Sequence, residues 1–132
     1  MTADGGDRNL FTLVDRGGGR IDGATSGFER RRLVRLRGGD PPPDRELDLH
    51  GLRRDEARRR LRETLRAAIA AGERCVLVVH GRGARSGEAG AVLREALPAW
   101  LAEPPHGARV LAFASADGHA GGATYVLLRR SR

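Results

Sequence analysis

Two histidines stand before glycines at the ends of candidate strands, in Leu47-Asp48-Leu49-His50-Gly51 and in Val79-His80-Gly81-Arg82-Gly83. Imidazole titrates near neutrality and can take up or release a proton during a reaction, so His50 and His80 are candidate general base and acid groups. Asp48 lies two residues before His50, and in extended backbone both side chains project to one face. Its carboxylate can orient the imidazole, raise its basicity or hold a divalent cation; the plainer alternative is a turn cap or an ion pair with an arginine. Gly81 and Gly83 permit positive φ and let the backbone approach a ligand, with N–H groups free for phosphate oxygens. Arg82 and Arg85 are placed to grip a phosphodiester from that loop, whose plainer alternative is a flexible surface loop.

Other chemistries fit less well. The Lys-Ser/Thr element of a Walker loop is missing, and the glycine spacing is not a dinucleotide fingerprint. Ser86 has no sequence-evident base and acid around it, which argues against a serine hydrolase. His50, His80, His106 and His119 show neither HExxH nor tight ligand spacing, which argues against a structural zinc site. Phosphodiester chemistry remains. The charge that develops on nonbridging oxygens is stabilised by arginines and backbone N–H groups. RNA carries its own nucleophile, the 2′-hydroxyl, so two histidines and an arginine suffice without metal. DNA needs an activated water, which usually means a bound divalent ion such as Mg2+ or Mn2+, and Asp48 is the candidate ligand.

The charge balance agrees with that substrate class. All 24 basic residues are arginine, and against 17 acids they give a net charge of +7. Arginine presents a planar fork to phosphate oxygens, which makes nucleic acid the leading partner, although a GC-rich genome produces the same bias. The single cysteine, Cys75, excludes an intramolecular disulfide and, inside an apolar run, reads as a small buried hydrophobe. No apolar run approaches the ~18 residues that span a bilayer. The acidic start of the chain lacks the basic and apolar regions of a signal peptide, so a cytoplasmic protein without membrane contact is expected.

A chain of 132 residues holds one domain of modest core plus a tail. Residues 1–43 carry nine glycines, the run Gly17-Gly18-Gly19, the cluster Arg30-Arg31-Arg32 and a closing Pro41-Pro42-Pro43. They read as a flexible or loosely docked extension, with Leu10–Val14 and Leu33–Leu36 as segments able to dock as edge strands or arms. From residue 44 the pattern changes. Residues 46–50 alternate like a half-buried strand, and 54–71 carry an apolar stripe (Ala57, Leu61, Leu65, Ala68, Ile69) that predicts a helix ending at Gly72. A buried strand follows over 74–79, then a loop through Gly90, a helix over about 91–102 kinked or split at Pro98, and strands over 110–114 and 124–128. The order β-α-β-α-β-β predicts an α/β domain with a small mixed four-stranded sheet, the first three strands parallel and the last antiparallel to the third. In such sheets ligands bind outside the carboxyl ends of the strands. His50, His80 and the glycine-rich loop 117–123, with Gly121 and Gly122, all leave strands at that edge.

The same residues resemble the Smr (small MutS-related) domain family. Leu47-Asp48-Leu49-His50-Gly51 with Asp55-Glu56-Ala57 resembles its LDLHG…EA opening, His80-Gly81-Arg82-Gly83 its HGxG, and Gly122–Leu128 its closing glycine-rich strand motif. The resemblance covers about residues 44–130. Two departures stand out: Gly118-His119-Ala120-Gly121-Gly122 replaces the usual GGxG, and Arg53 stands where a capping Thr is frequent. The resemblance implies a two-layer α/β sandwich similar to the C-terminal domain of translation initiation factor three. It also implies nicking or endonuclease activity on DNA or RNA, carried by Asp48 and His50 with His80, Gly81 and Gly83. A second class of function, a catalytically silent nucleic-acid or ribosome-binding module, keeps the arginines and glycine loops without histidine chemistry. A third, a protein-interaction adaptor, predicts no appreciable affinity for nucleic acid.

Overall fold

The fold is that of a computed structural model whose described residues are 11–81 and 83–130; over 83–89 only the backbone is described. In chain order the elements are β1 (Thr12–Gly17), β2 (Arg20–Ala24), α1 (Arg30–Arg37), β3 (Arg45–Asp48), α2 (Arg54–Ala70) and β4 (Cys75–Val79). Then follow α3 (Gly83–Leu101), a 3-10 turn (His106–Arg109), β5 (Val110–Ser115) and β6 (Ala123–Leu128). The strands form one sheet in the order β1-β2-β5-β6-β4-β3. The β3–β4 pair is parallel, while β6 runs antiparallel to both of its neighbours, β4 and β5. The strands expected at 46–50, 74–79 and 110–114 therefore do share one direction, with the last strand inserted antiparallel among them.

The pattern of the chain explains the core. Alternate residues of β3 and β4 (Leu47, Leu49, Val76, Val78) meet the stripe of α2 and the Leu93, Leu97, Trp100 and Leu101 face of α3 in one cluster. On the opposite face, Leu33 and Leu36 of α1 cover Cys75, Ala112, Ala114 and Leu127. The expected two-layer sandwich thus gains a short helix on its second face. Burial pushes the Cys75 thiol up to about 12, which leaves it an inert core side chain. Helix α2 ends as its sequence predicts, with Ala71 as C-cap and Gly72 beyond it at φ +73°.

Three expectations are corrected. The sheet has six strands among the described residues rather than four, because residues 12–24 form a hairpin that pairs antiparallel with β5. Those residues are consequently part of the sheet, and α1 packs on its face through Leu33 and Leu36, rather than being loosely docked. The reason lies in small residues. The Gly17-Gly18-Gly19 turn has φ of +84°, +64° and +82°, and a Cβ on Gly23 would overlap the Phe113 ring it faces across the pairing. Phe11 closes over the same ring edge-on, at 5.2 Å between centroids. The second correction concerns the loop expected through Gly90, whose backbone over 83–90 is already helical. The third is the split allowed for at Pro98: α3 runs through that residue as one helix, because its buried face continues through Trp100 and Leu101.

A buried ion pair fixes the hairpin to α1. Asp22, fully buried, accepts from Arg37 (Nε 2.8 Å, Nη2 2.6 Å) and lies 3.0 Å from Arg16 Nε, while Arg16 Nη2 donates to the Ser115 carbonyl at 2.8 Å. Removing one partner of a buried pair strands the other charge. Asp22→Ala should lower stability by about 2–3 kcal/mol, discounted because both arginines keep some contact with water. An unchanged urea midpoint would show that the pair holds nothing together.

Candidate active site at the C-terminal edge of the sheet

Four residue pairs set the geometry of the site, from Arg45↔Val76 to Asp48↔Val79. The Leu49 N–H continues the ladder to the Val79 carbonyl at 2.7 Å, so Leu49 is the neighbour of His80. Partners in a sheet share a face and successive residues alternate. Leu47, Leu49, Val76, Val78 and His80 therefore look toward α2 and α3, and Asp48 looks the other way.

His50 follows at the end of this outer edge strand with its side chain 66% exposed. Its ring Nδ1 lies 2.7 Å from Asp48 Oδ1, and its backbone N–H donates to the same oxygen at 3.0 Å. Burial raises the Asp48 carboxyl, but the bonds and charge of His50 outweigh it and hold Asp48 below the usual carboxylate range. An ionised carboxylate only accepts, so the proton of this contact sits on Nδ1. In the neutral ring that leaves Nε2 as a lone pair directed away from Asp48, which is the arrangement of an oriented general base. The expectation of two residues on one face around one carboxylate takes this concrete form.

His80 does not reach that edge. It is 1% exposed, and its Nε2 lies 3.0 Å from Thr124 Oγ1 of β6. Burial first, and then the Arg94 guanidinium, bring its pKa down to about 4, so the ring is neutral at ordinary pH. The expected pairing of His50 and His80 as two proton-transfer groups in a shared cleft is corrected by the register itself, which turns the two rings to opposite faces. His80 is a buried ring bridging the end of β4 to β6. Its N–H and that of Gly81 both donate to the Gly122 carbonyl, at 2.9 and 3.0 Å, and join the end of β4 to the loop before β6.

Those bonds also correct the glycine expectations. The Gly81 N–H is spent on Gly122 rather than free for a phosphate. Gly121 and Gly122 are buried, with Gly121 at φ +79°, so they shape the loop rather than offer surface to a ligand. Asp117, Gly118 and Ala120 form the exposed part of that loop, and His119 is half-buried in it. Gly83 is the first residue of α3, which places the start of that helix at the same edge. Arg82 lies outside the described residues, as does the side chain of Arg85. Sequence reasoning missed Arg94, whose guanidinium stands against the Gly19 backbone at the hairpin tip and acts on His80. Only the docking of the hairpin could have revealed it.

The neutral state of His80 has a measurable consequence. Its folded pKa lies below the unfolded value of 6.5, so the unfolded chain takes up the proton first as pH falls. Stability is fully present above pH 6.5 and is lost between there and about pH 4, by as much as about 3 kcal/mol. Urea unfolding at pH 7.5 and pH 5 should show the loss in the wild type and a smaller one in His80→Gln. Equal losses in both would remove His80 as its source.

The Smr domain model matches residues 47–129. A ribosome rescue factor SmrB of Shewanella sp. (strain ANA-3) is 35% identical over 102 residues, 77% of this chain and 53% of its own length. The SmrB of Aliivibrio salmonicida (strain LFI1238) is 34% identical over 110 residues, 83% of this chain and 57% of its own. The chain therefore spans about half the length of the curated relatives it matches. The crystal structure of YdaL, a stand-alone small MutS-related protein from Escherichia coli, superposes with a TM-score of 0.68 over 98% of this chain and all of its own, at 23% identity. The chain belongs to the Smr domain family.

Proposed function

We propose that the chain binds nucleic acid, RNA foremost, and cleaves a phosphodiester at the carboxyl edge of its sheet, with His50 moving the proton and Asp48 orienting it. The observation that carries this reading is the 2.7 Å contact between Asp48 Oδ1 and the Nδ1 of an exposed imidazole. With one imidazole at the edge, Nε2 of His50 takes the proton of the 2′-hydroxyl as that oxygen attacks phosphorus. The bond to the 5′-oxygen breaks, and that oxygen takes a proton from water or from the imidazolium. The products are a 2′,3′-cyclic phosphate and a 5′-hydroxyl. The start of α3 presents unpaired N–H groups and the positive end of the helix dipole to the phosphate. Gly81 and Gly83 shape this entry, and Arg82 and Arg85 are the proposed phosphate clamps.

The relatives named ribosome rescue factors support an RNA substrate presented on the ribosome. DNA nicking needs an activated water and, with it, a divalent ion. Among the described residues no group of three or more His, Cys, Asp or Glu stands ready to hold one. Asp48 alone fits Mg2+ or Mn2+ only as part of a shell completed by waters and substrate oxygens. No helix among the described residues is long and apolar enough to cross a membrane. The burial of His80 favours one second reading, a nucleic-acid or ribosome-binding module without catalysis, since it leaves a single exposed proton-transfer group.

His50→Ala should slow cleavage of a structured RNA by about 100-fold or more, and Asp48→Asn by about 10–100-fold through the wrong tautomer. Both should leave RNA affinity within about a factor of two. A 2′-deoxy nucleotide at the cleaved position should abolish the reaction, and the new ends should carry 5′-hydroxyls. Trace cleavage that is equal in wild type and His50→Ala, with affinity retained, would leave only the binding module standing.

A further inference from the structure

Helix α2 treats its arginines unequally. Arg58 pairs with Glu103 and Arg59 with Glu63. Arg62 and Arg66, one turn apart on the same face, have no carboxylate in ion-pair contact among the described residues. Like charges at that spacing repel. Both line a cavity of about 180 Å³ together with Ile69, Pro105, His106 and Arg109. The Arg109 guanidinium is held in place by main-chain carbonyls, with Nη2 donating to Arg130 at 3.0 Å, so its charge is positioned without being neutralised. His106 is buried with Nε2 bonded to the Trp100 carbonyl at 2.7 Å, which fixes that wall. The result is a depression lined by three arginine side chains, with Ile69 and Pro105 as its apolar members.

We propose that this cavity is a second nucleic-acid contact, taking one nucleotide of the substrate with its phosphate against Arg62, Arg66 and Arg109 and its base against the apolar members. The inference rests on the nucleic-acid reading of the His50 edge and extends it. An inorganic anion alone would need no apolar members, and an apolar ligand would need no arginines. A nucleotide satisfies both, since guanidinium forks fit phosphate and their planes stack on bases. At about 180 Å³ the depression is smaller than the ~300 Å³ from which small-molecule pockets run, so it seats part of a nucleotide and leaves the rest in solvent, as a contact along a longer strand requires. Its position also fits. It lies toward the far end of α2, about 18 Å from the helix start beside His50 at 1.5 Å per residue. That distance corresponds to about five steps at the ~3.4 Å rise of a stacked B-form strand, and to fewer nucleotides of an extended single strand. A strand held at both places is thus fixed in register relative to the cleaving imidazole.

Fluorescence anisotropy of the full chain with 2′-O-methylated RNA, which cannot be cleaved, tests this with a 20-mer and a 4-mer. Arg62→Ala/Arg66→Ala should raise the Kd of the 20-mer about tenfold and reduce its salt slope by about 1–2, while leaving the 4-mer unchanged. Arg30→Ala/Arg31→Ala removes the same net charge from α1 and should move the 20-mer by less than threefold. Equal melting temperatures for the three proteins establish that all are folded. A 20-mer affinity unchanged in Arg62→Ala/Arg66→Ala overturns the second contact and leaves the His50 edge intact. Equal losses for both lengths, or for both double variants, overturn it as well, since they report general charge. A wild type that binds neither RNA brings down the nucleic-acid reading itself.

Discussion

The pairing of Asp48 with Val79 is the constraint on which the site depends. A shift of one residue would exchange the two faces of β3, burying Asp48 against α2 and α3 and exposing Leu47 and Leu49. The register is set at the other end of the strands. Asp44 accepts from the N–H groups of Arg74 and Cys75 at 2.7 and 3.1 Å, and Arg45 makes a two-pronged contact with Glu73 at 2.7 and 3.0 Å. Polar clamps at the amino end and apolar side chains along the middle together deliver the carboxylate and imidazole to solvent at the carboxyl end.

The same constraint divides the two histidines into different physical situations. His50 lies beyond the last pair, in water, with a carboxylate at its back. His80 is enclosed in the α2/α3 side of the sheet, beside Thr124 and within reach of the Arg94 charge, where only the neutral ring is comfortable. Two residues that look equivalent as His-Gly pairs thus stand as an exposed ring beside a carboxylate and as a buried ring that joins β4 to β6. Their likeness in the sequence is a likeness of position along strands and says nothing of the face.

Much of the central fold is legible in residue order. The stripe of α2, the unbroken apolar run of β4 and the alternation before His50 each have one sensible reading, and the structure adopts them. Asp48 beside His50 is legible too, because a separation of two residues fixes the face in extended backbone. The rest depends on partners far away in the chain. The hairpin is only half visible: Leu10–Val14 reads as a segment able to dock at an edge, as β1 does, but it exposes Leu13 and Val14, while β2 succeeds through a glycine, Gly23, that matters only once Phe113 lies opposite it. The helical start of α3 is hidden because a glycine-rich stretch favours a loop by local preference. His80 misleads because register, unlike strand order, is not written in either strand alone.

The antiparallel seam between β2 and β5 also bears on where this protein can be cut. A family boundary at residue 47 describes shared sequence, but a fragment begun there would present the backbone of β5 as a bare edge, with the Phe113 ring no longer roofed by Gly23 and Phe11. Such an edge invites strands from other molecules. Trimming this chain to its family signature would therefore trade a self-contained sheet for one prone to stick to its own copies.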